Sequence, residues 1–287
     1  MTAAQVSANR KRIAGRVVLY TLVLLFTLQA AFPFAWGLIT TFKTSPDLYS
    51  RDNNPFLFNE PPTLDHVRLL FQQTAFGTFV GNTVVVSLCV VAITLLVSVP
   101  AAYSLGRLNL KKGGAVAIAI FFVYLIPPSL LFISLSPVVA QLGLQDSRWS
   151  LVVVYPTITI PVSVWLLTGF FRSIPRDIEE QAMVDGCSRM GAFFKMVLPA
   201  AIPGLIAVVV FASTLSASEF IYALAFVSQT TQKTVSVGVP TELVRGDVFF
   251  WQSLQAATLI VAVPIALIFN LFLKRFISGF TMGAVKG

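Results

Sequence analysis

Residues 79–105 are FVGNTVVVSLCVVAITLLVSVPAAYSL, a run of apolar and small residues without a single charged side chain. A bilayer core of roughly 30 Å is crossed by a helix of about 20 apolar residues, so this run is long enough to span a membrane. The stretch predicts a transmembrane helix, and we therefore expect the chain to be a membrane protein.

The composition of the whole chain agrees with that expectation. The chain has 287 residues, of which 56% are hydrophobic and 11% are charged, and its mean hydropathy is +0.83. Soluble domains carry about 25% charged residues, so lipid is the expected solvent. The net charge of +8 comes from Lys and Arg clustered beside alternate apolar runs. That pattern indicates membrane orientation and argues against a nucleic-acid partner.

A search for runs of similar length finds six, and we predict an all-α, polytopic membrane protein with about six spans in one domain, residues 1–287. The predicted spans are 17–41, 79–105, 115–135, 151–171, 201–228 and 254–272. Pro127 and Pro128 should break or bend the third span, because proline removes a helix donor and clashes with the preceding turn.

The basic residues predict the orientation, since Lys and Arg near span ends stay on the cytoplasmic side. With both termini inside, 14 of the 20 Lys and Arg residues are cytoplasmic and 6 are outside. A cleaved signal peptide is the alternative for the N-terminus, with small residues at 29–31. The first apolar run, however, continues past them and is longer than the 7 to 15 residues of a signal-peptide core.

The non-membrane segments offer little for chemistry. The longest outside segment, residues 43–77, has a predicted short helix at 64–73 and contains His66, the only histidine, which we expect to be an ordinary surface residue. Cys89 and Cys187 are too few for a disulfide framework or a metal-ligand cluster.

Residues 172–199, here called the connecting segment, are RSIPRDIEEQAMVDGCSRMGAFFKMVLP. Pro175 and three acidic residues suit the first turn of a helix, where the helix dipole is positive. Gly186 is the expected stop of that helix. A second amphipathic helix should follow, with Phe193, Met196 and Val197 on one face. The segment predicts two short helices that form a compact protrusion.

The connecting segment resembles the EAA loop of ABC-importer permeases, whose pattern is Glu-Ala-Ala, three residues, Gly, nine residues, Ile, any residue, Leu-Pro. The residues that match are Glu180, Ala182, Gly186, Leu198 and Pro199, while Gln181 and Met196 depart from the pattern. The chain end, residues 278–287, resembles the terminus of the maltose-type carbohydrate permeases. The resemblance extends over nearly the whole chain.

This resemblance implies a type I ABC importer permease in the inner membrane of a bacterial or archaeal cell, moving a di- or oligosaccharide. It implies as partners a second homologous permease, a cytoplasmic ATPase dimer that binds ATP and Mg, and an extracytoplasmic substrate-binding protein. The residues implied to couple to the ATPase are Glu179, Glu180, Ala182, Asp185, Gly186, Leu198 and Pro199. The alternative, a segment lying on the bilayer, would place four acidic residues beside anionic lipids.

The chain itself shows no catalytic motif. It contains no Gly-x-x-x-x-Gly-Lys-Ser/Thr phosphate loop, no His-Glu-x-x-His site and no Gly-x-Ser-x-Gly elbow. We therefore predict a non-enzymatic subunit that binds no cofactor, with ATP hydrolysis on a separate protein.

Glu219 is the one acidic residue placed within a predicted span, where a charge costs about 2.5 to 3.5 kcal/mol and normally faces a bundle interior or water. It is the candidate for a substrate pathway, with Ser216 and Tyr222 on its helical face. The alternative is that Glu219 is a hydrogen-bonded residue at an interface and does not contact substrate. In the resembling permeases this stretch often has Trp-Asn-Asp/Glu-Phe, whereas residues 217–220 here are ASEF.

Two further interpretations of the function stay open. An ABC permease could serve another solute, such as glycerol phosphate or an oligopeptide. A secondary transporter would need ionisable groups within its spans for ion coupling, and one glutamate is little support for that.

Overall fold

The computed structural model describes residues 3–108, 110, 112–246 and 248–284, and these are helical almost throughout. The helices are α1 (Ala3–Phe42), α2 (Ser45–Tyr49), α3 (Asp65–Gln73), α4 (Phe76–Arg107), α5 (Gly113–Tyr124), α6 (Pro128–Gln141), α7 (Arg148–Val154), α8 (Pro156–Ser173), α9 (Asp177–Val184), α10 (Arg189–Ala192), α11 (Leu198–Ala200), α12 (Ile202–Ser218), α13 (Ile221–Phe226), α14 (Val235–Leu243) and α15 (Trp251–Ala284). A π-helical turn, Phe193–Val197, follows α10, and a 3₁₀ turn, Thr230–Gln232, precedes α14. Two short strands, β1 (Val244–Arg245) and β2 (Val248–Phe249), pair with each other. The predicted all-α fold is confirmed.

Several helices of the described part are long and apolar enough to cross a membrane. Four do so as single stretches: Ile13–Phe42, Phe76–Arg107, Arg148–Ser173 and Trp251–Leu271. A fifth is a bent pair, Arg189–Ala200 and Ile202–Ser218, with a bend of 70°. Each overlaps a predicted span, and several extend beyond the predicted ends because helices continue past the hydrocarbon core.

The predicted third span, 115–135, is two helices, each shorter than a membrane crossing requires. Helix α5 ends at Tyr124, and α6 begins at Pro128 after Pro127 adopts an extended conformation, with φ −56° and ψ 126°. Proline cannot donate the hydrogen bond that would continue α5, and at the first position of α6 no donor is needed. The expected break is confirmed, and by helix length the described part supplies up to five spans instead of six.

The predicted fifth span, 201–228, is not one continuous helix. Helix α12 ends at Ser218, Glu219 is extended with φ −65° and ψ 128°, and the short helix α13 starts at Ile221. An apolar run conceals this break, because hydropathy reports solvent preference and not backbone conformation. Glu219 therefore lies at a junction between helices, not within one.

The chain consists of two compact units. One is Met1–Gln73 with Gly246–Ile260, and the other is Thr74–Arg245 with Val261–Gly287. A single domain over residues 1–287 stays a prediction. In the larger unit α4 packs along α8 and α12, and two clusters of buried side chains fill the space between helices. One cluster includes Val86, Leu151, Tyr155 and Tyr222, and the other includes Tyr103, Leu167, Phe171, Phe193 and Val197.

In the smaller unit, α1 is apolar on all sides from Val17 onward, after a first part that carries four basic residues. Every residue from 13 to 35 is exposed within the chain. A helix that is hydrophobic all round is stable only when something apolar surrounds it. This part of the helix is therefore suited to an apolar environment of lipid or protein.

The loop after α1 is ordered around the carboxylate of Asp47. Lys43 Nζ lies 3.2 Å from Asp47 Oδ1, and Asn59 donates to the same carboxylate from its backbone N–H at 3.1 Å and its side chain at 2.7 Å. Burial acts to raise the pKa of Asp47, but the hydrogen bonds from Asn59 and Lys43 outweigh it and lower the pKa to about 2. The loop conformation therefore depends on a charged Asp47.

His66 lies on α3, which confirms the predicted short helix but not the exposed setting expected for this residue. Its Nε2 is 3.0 Å from the carbonyl oxygen of Lys43, and its own carbonyl accepts a hydrogen bond from Ser253 Oγ at 3.2 Å. Burial lowers the pKa of His66, and the hydrogen bond to Lys43 and the charge of Asp65 partly oppose that shift. His66 thus connects elements of the smaller unit.

Candidate functional site

The first half of the connecting segment is helix α9, Asp177–Val184, which ends as the sequence predicts. Asp185 N donates to Gln181 O at 2.9 Å, Gly186 N donates to Met183 O at 3.1 Å, and Cys187 N donates to Ala182 O at 3.0 Å. This is the Schellman arrangement, in which the residue after the C-cap adopts a left-handed conformation. Gly186 occupies that position with φ +90°. The prediction of a helix stop at Gly186 is confirmed.

The second half leads into α12 through a bend of 70°. Ser188 Oγ accepts a hydrogen bond from Gly191 N at 3.1 Å and so caps α10. The π-helical turn that follows buries Phe193 and Val197 but leaves Met196 43% exposed. A π-helix has more residues per turn than an α-helix, so Met196 rotates off the face where α-helical spacing placed it.

The outward face of α9 is acidic with an apolar centre. Asp177, Glu180, Gln181, Val184 and Asp185 line one shallow depression on the surface. Val184 is 87% exposed. Within the described residues, the carboxylates on this face form no ion pair with another part of the chain. Charged side chains around an exposed apolar residue form a surface suited to a partner with basic residues and an apolar recess.

The inward face of α9 is anchored to α4. Glu179 Oε2 lies 3.0 Å from both Nε and Nη2 of Arg107, and Glu179 Oε1 accepts a hydrogen bond from Tyr103 Oη at 2.5 Å. The Arg107 and Glu179 side chains are 2% and 10% exposed. We call Tyr103, Arg107 and Glu179 the anchor cluster. Glu179, which resemblance grouped with the ATPase-coupling residues, faces the interior of this chain.

The remaining predicted coupling residues divide between the two faces. Ala182 is 7% exposed and packs inward with Glu179, whereas Asp185 and Gly186 are exposed at the end of α9. Leu198 packs against the cluster that contains Phe193, and Pro199 lies within α11, before the N-cap of α12 at Ala201. Sequence reasoning did not single out Tyr103 or Arg107, because their partner Glu179 is 76 and 72 residues away along the chain.

The candidate pathway residues lie at the junction of α12 and α13. The Glu219 carboxylate accepts hydrogen bonds from Tyr222 N at 3.0 Å and Ala223 N at 3.2 Å, which satisfies two free donors at the start of α13. Ser216 is buried and donates to Ser87 Oγ at 2.9 Å. Tyr222 is fully buried and stacks on Tyr155, with ring centroids 6.4 Å apart. The structure assigns Glu219 a capping role whether or not it also contacts substrate.

The described residues contain no cluster of His, Cys, Asp and Glu side chains suited to a metal ion. Cys89 and Cys187 are both free thiols. The last three residues of the chain-end motif, 285–287, lie outside the described residues.

Comparisons with known proteins find similar transport permeases. The chain is 34% identical over 275 residues to the sulfoquinovosyl glycerol transport system permease protein SmoH of Agrobacterium fabrum, covering 96% of this chain and 95% of that protein. It is 28% identical over 280 residues to the trehalose/maltose transport system permease protein MalG of Thermococcus litoralis, covering 97% and 99%.

A solved structure shares the fold. It is a chain in the crystal structure of a bacterial ABC transporter involved in the import of the acidic polysaccharide alginate, with a TM-score of 0.77, 18% sequence identity, and coverage of 93% of this chain and 98% of that chain. A family model described as binding-protein-dependent transport system inner membrane component matches residues 98–281. Since that match takes in most of the chain, the protein belongs to the family of inner membrane components of binding-protein-dependent transport systems.

Proposed function

We propose that this protein is the transmembrane permease subunit of an ATP-driven importer that moves a carbohydrate into the cytoplasm by alternating access. The observation that supports it most strongly is the connecting segment, whose acidic outward face forms no ion pair with another part of the described chain, while its inward face is fixed to α4 and to the end of α8. A segment with one free face and one anchored face is suited to transmit movement from a soluble partner to the spans.

The proposed partner at the outward face is a cytoplasmic ATPase dimer, which binds ATP and Mg. Glu180, Val184 and Asp185 would insert into its groove, and both termini of the permease would be cytoplasmic. ATP binding closes the dimer, the connecting segment moves with it, and the spans change between inward and outward openings. The equilibrium between the inward-open and outward-open states shifts because ATP and the partner proteins make different contacts with the two states, as any such transition requires.

A second, homologous permease and an extracytoplasmic binding protein would complete the importer. The exposed apolar surface of α1 is consistent with a partner in the membrane. The carbohydrate assignment is supported by the relatives, one named for sulfoquinovosyl glycerol and one for trehalose and maltose. Ser216, Glu219 and Tyr222 remain the proposed pathway residues.

The docking proposal is tested by a charge reversal with a matched control. The protein is co-expressed with its companion permease and ATPase subunits, purified, and reconstituted in vesicles with the binding protein. Glu180→Lys should abolish co-purification of the ATPase and ATP-driven uptake, because it places a positive charge against the proposed ATPase groove, which is expected to carry basic residues. Asp52→Lys makes the same charge change at an exposed residue of the loop between α2 and α3, outside the connecting segment, and should leave ATPase co-purification intact. Equal co-purification for both variants would contradict docking through this face.

The same vesicles test the substrate class. Uptake is measured for a panel of di- and oligosaccharides and for glycerol 3-phosphate. ATP-driven accumulation of at least one saccharide is expected. Accumulation of glycerol 3-phosphate without any saccharide would replace the carbohydrate assignment with the other solute.

A further inference from the structure

The two adjacent glutamates of α9 lie in opposite environments. Glu180 is exposed on the outward face, whereas Glu179 is buried and its carboxylate accepts hydrogen bonds from Tyr103 and Arg107 of α4. A buried carboxylate requires hydrogen bonds and an opposite charge to remain ionised. Arg107 and Tyr103 supply these on the inward face, so the helix is held in one rotational position about its own axis.

Arg107 also holds the end of α8. Its Nη1 donates to Ile174 O at 2.6 Å, and its Nη2 lies 3.4 Å from Pro175 O. Carbonyl groups at a helix C-terminus have no partners within the helix, and an arginine there satisfies them and interacts favourably with the dipole. One guanidinium group thereby joins the last turn of α4, the C-terminus of α8 and the inward face of α9.

Aromatic packing connects the second half of the connecting segment to the same place. The Tyr103 ring centroid is 4.5 Å from that of Phe193 and 5.9 Å from that of Phe171. Helices α4 and α8 approach closely beside it, since a Cβ at Gly106 would lie 3.3 Å from both Phe171 Cβ and Thr168 O. Rotating the segment away from α4 would therefore separate a buried ion pair and open a packed aromatic cluster.

We propose that the anchor cluster makes the connecting segment and the adjoining ends of α4 and α8 move as one rigid body, so that ATPase closure displaces these helices instead of bending the segment. This inference rests on the proposed function, because it assumes that the outward face binds an ATPase. Tyr103, Arg107 and Glu179 act in it as positioning residues. Breaking the cluster weakens the transmission of movement while the docking face stays in place.

The experiment compares the same substitution at adjacent residues, Glu179→Gln and Glu180→Gln, in the reconstituted complex with both permeases, the ATPase and the binding protein. The readouts are ATPase co-purification and the ratio of solute imported to ATP hydrolysed. Glu179→Gln should keep co-purification and lower the ratio by about fivefold or more, the lower end of ordinary coupling free energies between sites. Glu180→Gln should reduce co-purification.

Tyr103→Phe provides a second, gentler variant, since it removes one hydroxyl and keeps the aromatic packing. It should lower the ratio less than Glu179→Gln, and the double variant should resemble Glu179→Gln alone, because Glu179→Gln already removes the carboxylate to which the Tyr103 hydroxyl donates. An unchanged ratio in Glu179→Gln and in Tyr103→Phe would overturn the anchor role. Loss of ATPase co-purification in Glu179→Gln would overturn it too, by making Glu179 a docking residue. Unchanged co-purification in Glu180→Gln and Glu180→Lys would instead contradict the docking proposal.

Discussion

Replacement of Gly186 by valine should disrupt the connecting segment through backbone strain alone. Gly186 has φ +90°, and no atom lies within 4 Å of the position that a Cβ would occupy, so no steric contact with neighbours contributes. A left-handed conformation costs a residue with a Cβ roughly 1–2 kcal/mol, and a β-branched residue is a clear outlier there. A cost of about 2 kcal/mol reduces the population of the native turn by roughly thirtyfold, since about 1.4 kcal/mol is a factor of ten.

Gly143→Val is the matched control, because Gly143 also has a positive φ, +67°, with nothing within 4 Å of its Cβ position. It lies in the connection between α6 and α7, outside the connecting segment. The assay is ATPase co-purification together with ATP-driven uptake in vesicles. Gly186→Val should lose most of both, whereas Gly143→Val should retain co-purification. If Gly186→Val matched its control in both measurements, the turn at Gly186 would have no part in coupling.

Two further outcomes are expected. Glu219→Ala should destabilise the start of α13 by about 0.5–2 kcal/mol, the usual cost of losing a capping side chain, and lower the thermal unfolding midpoint, whereas Glu219→Gln keeps an acceptor and should be milder. Reduced uptake in Glu219→Gln with an unchanged midpoint would support a pathway role, and unchanged kinetics would leave a structural cap. Because the pKa of Asp47 is lowered from 3.8 to about 2, its stabilisation of the loop is complete above pH 3.8 and is lost as the pH falls through about 2. Hydrogen exchange of residues 45–63 should show that loss, and Asp47→Asn should remove the pH dependence in this window; persistence of the dependence in that variant would assign it to another group.

The connecting segment shows how far local sequence signals reach. The acidic first turn and Gly186 predicted α9, because capping and left-handed turns depend on residues a few positions apart, whereas Pro175, expected in the first turn, lies before the N-cap Arg176. The break at Pro127 and Pro128 was predictable for the same reason. The exposure of Met196 was not, because a π-helical turn changes which residues share a face, and no residue type specifies such a turn.

Glu219 shows a second limit. Its apolar neighbours predicted a residue inside a span, since hydropathy averages over a window and does not detect one extended residue. In the structure its carboxylate caps α13, which explains how a charged side chain is accommodated there. The sequence identified Glu219 as a charged residue in an apolar run, and the backbone conformation of the structure showed that its carboxylate caps α13.

What the sequence determined by itself is the membrane environment, the helical class and the two-helix connecting segment with its turn at Gly186. These follow from solvent preference and from interactions between close neighbours along the chain. Only the tertiary structure decided that Glu179 faces inward while Glu180 faces outward, and that Arg107 joins α4, α8 and α9. The physical reason is that an ion pair between residues 72 positions apart depends on how helices pack and rotate against each other, which no local pattern specifies.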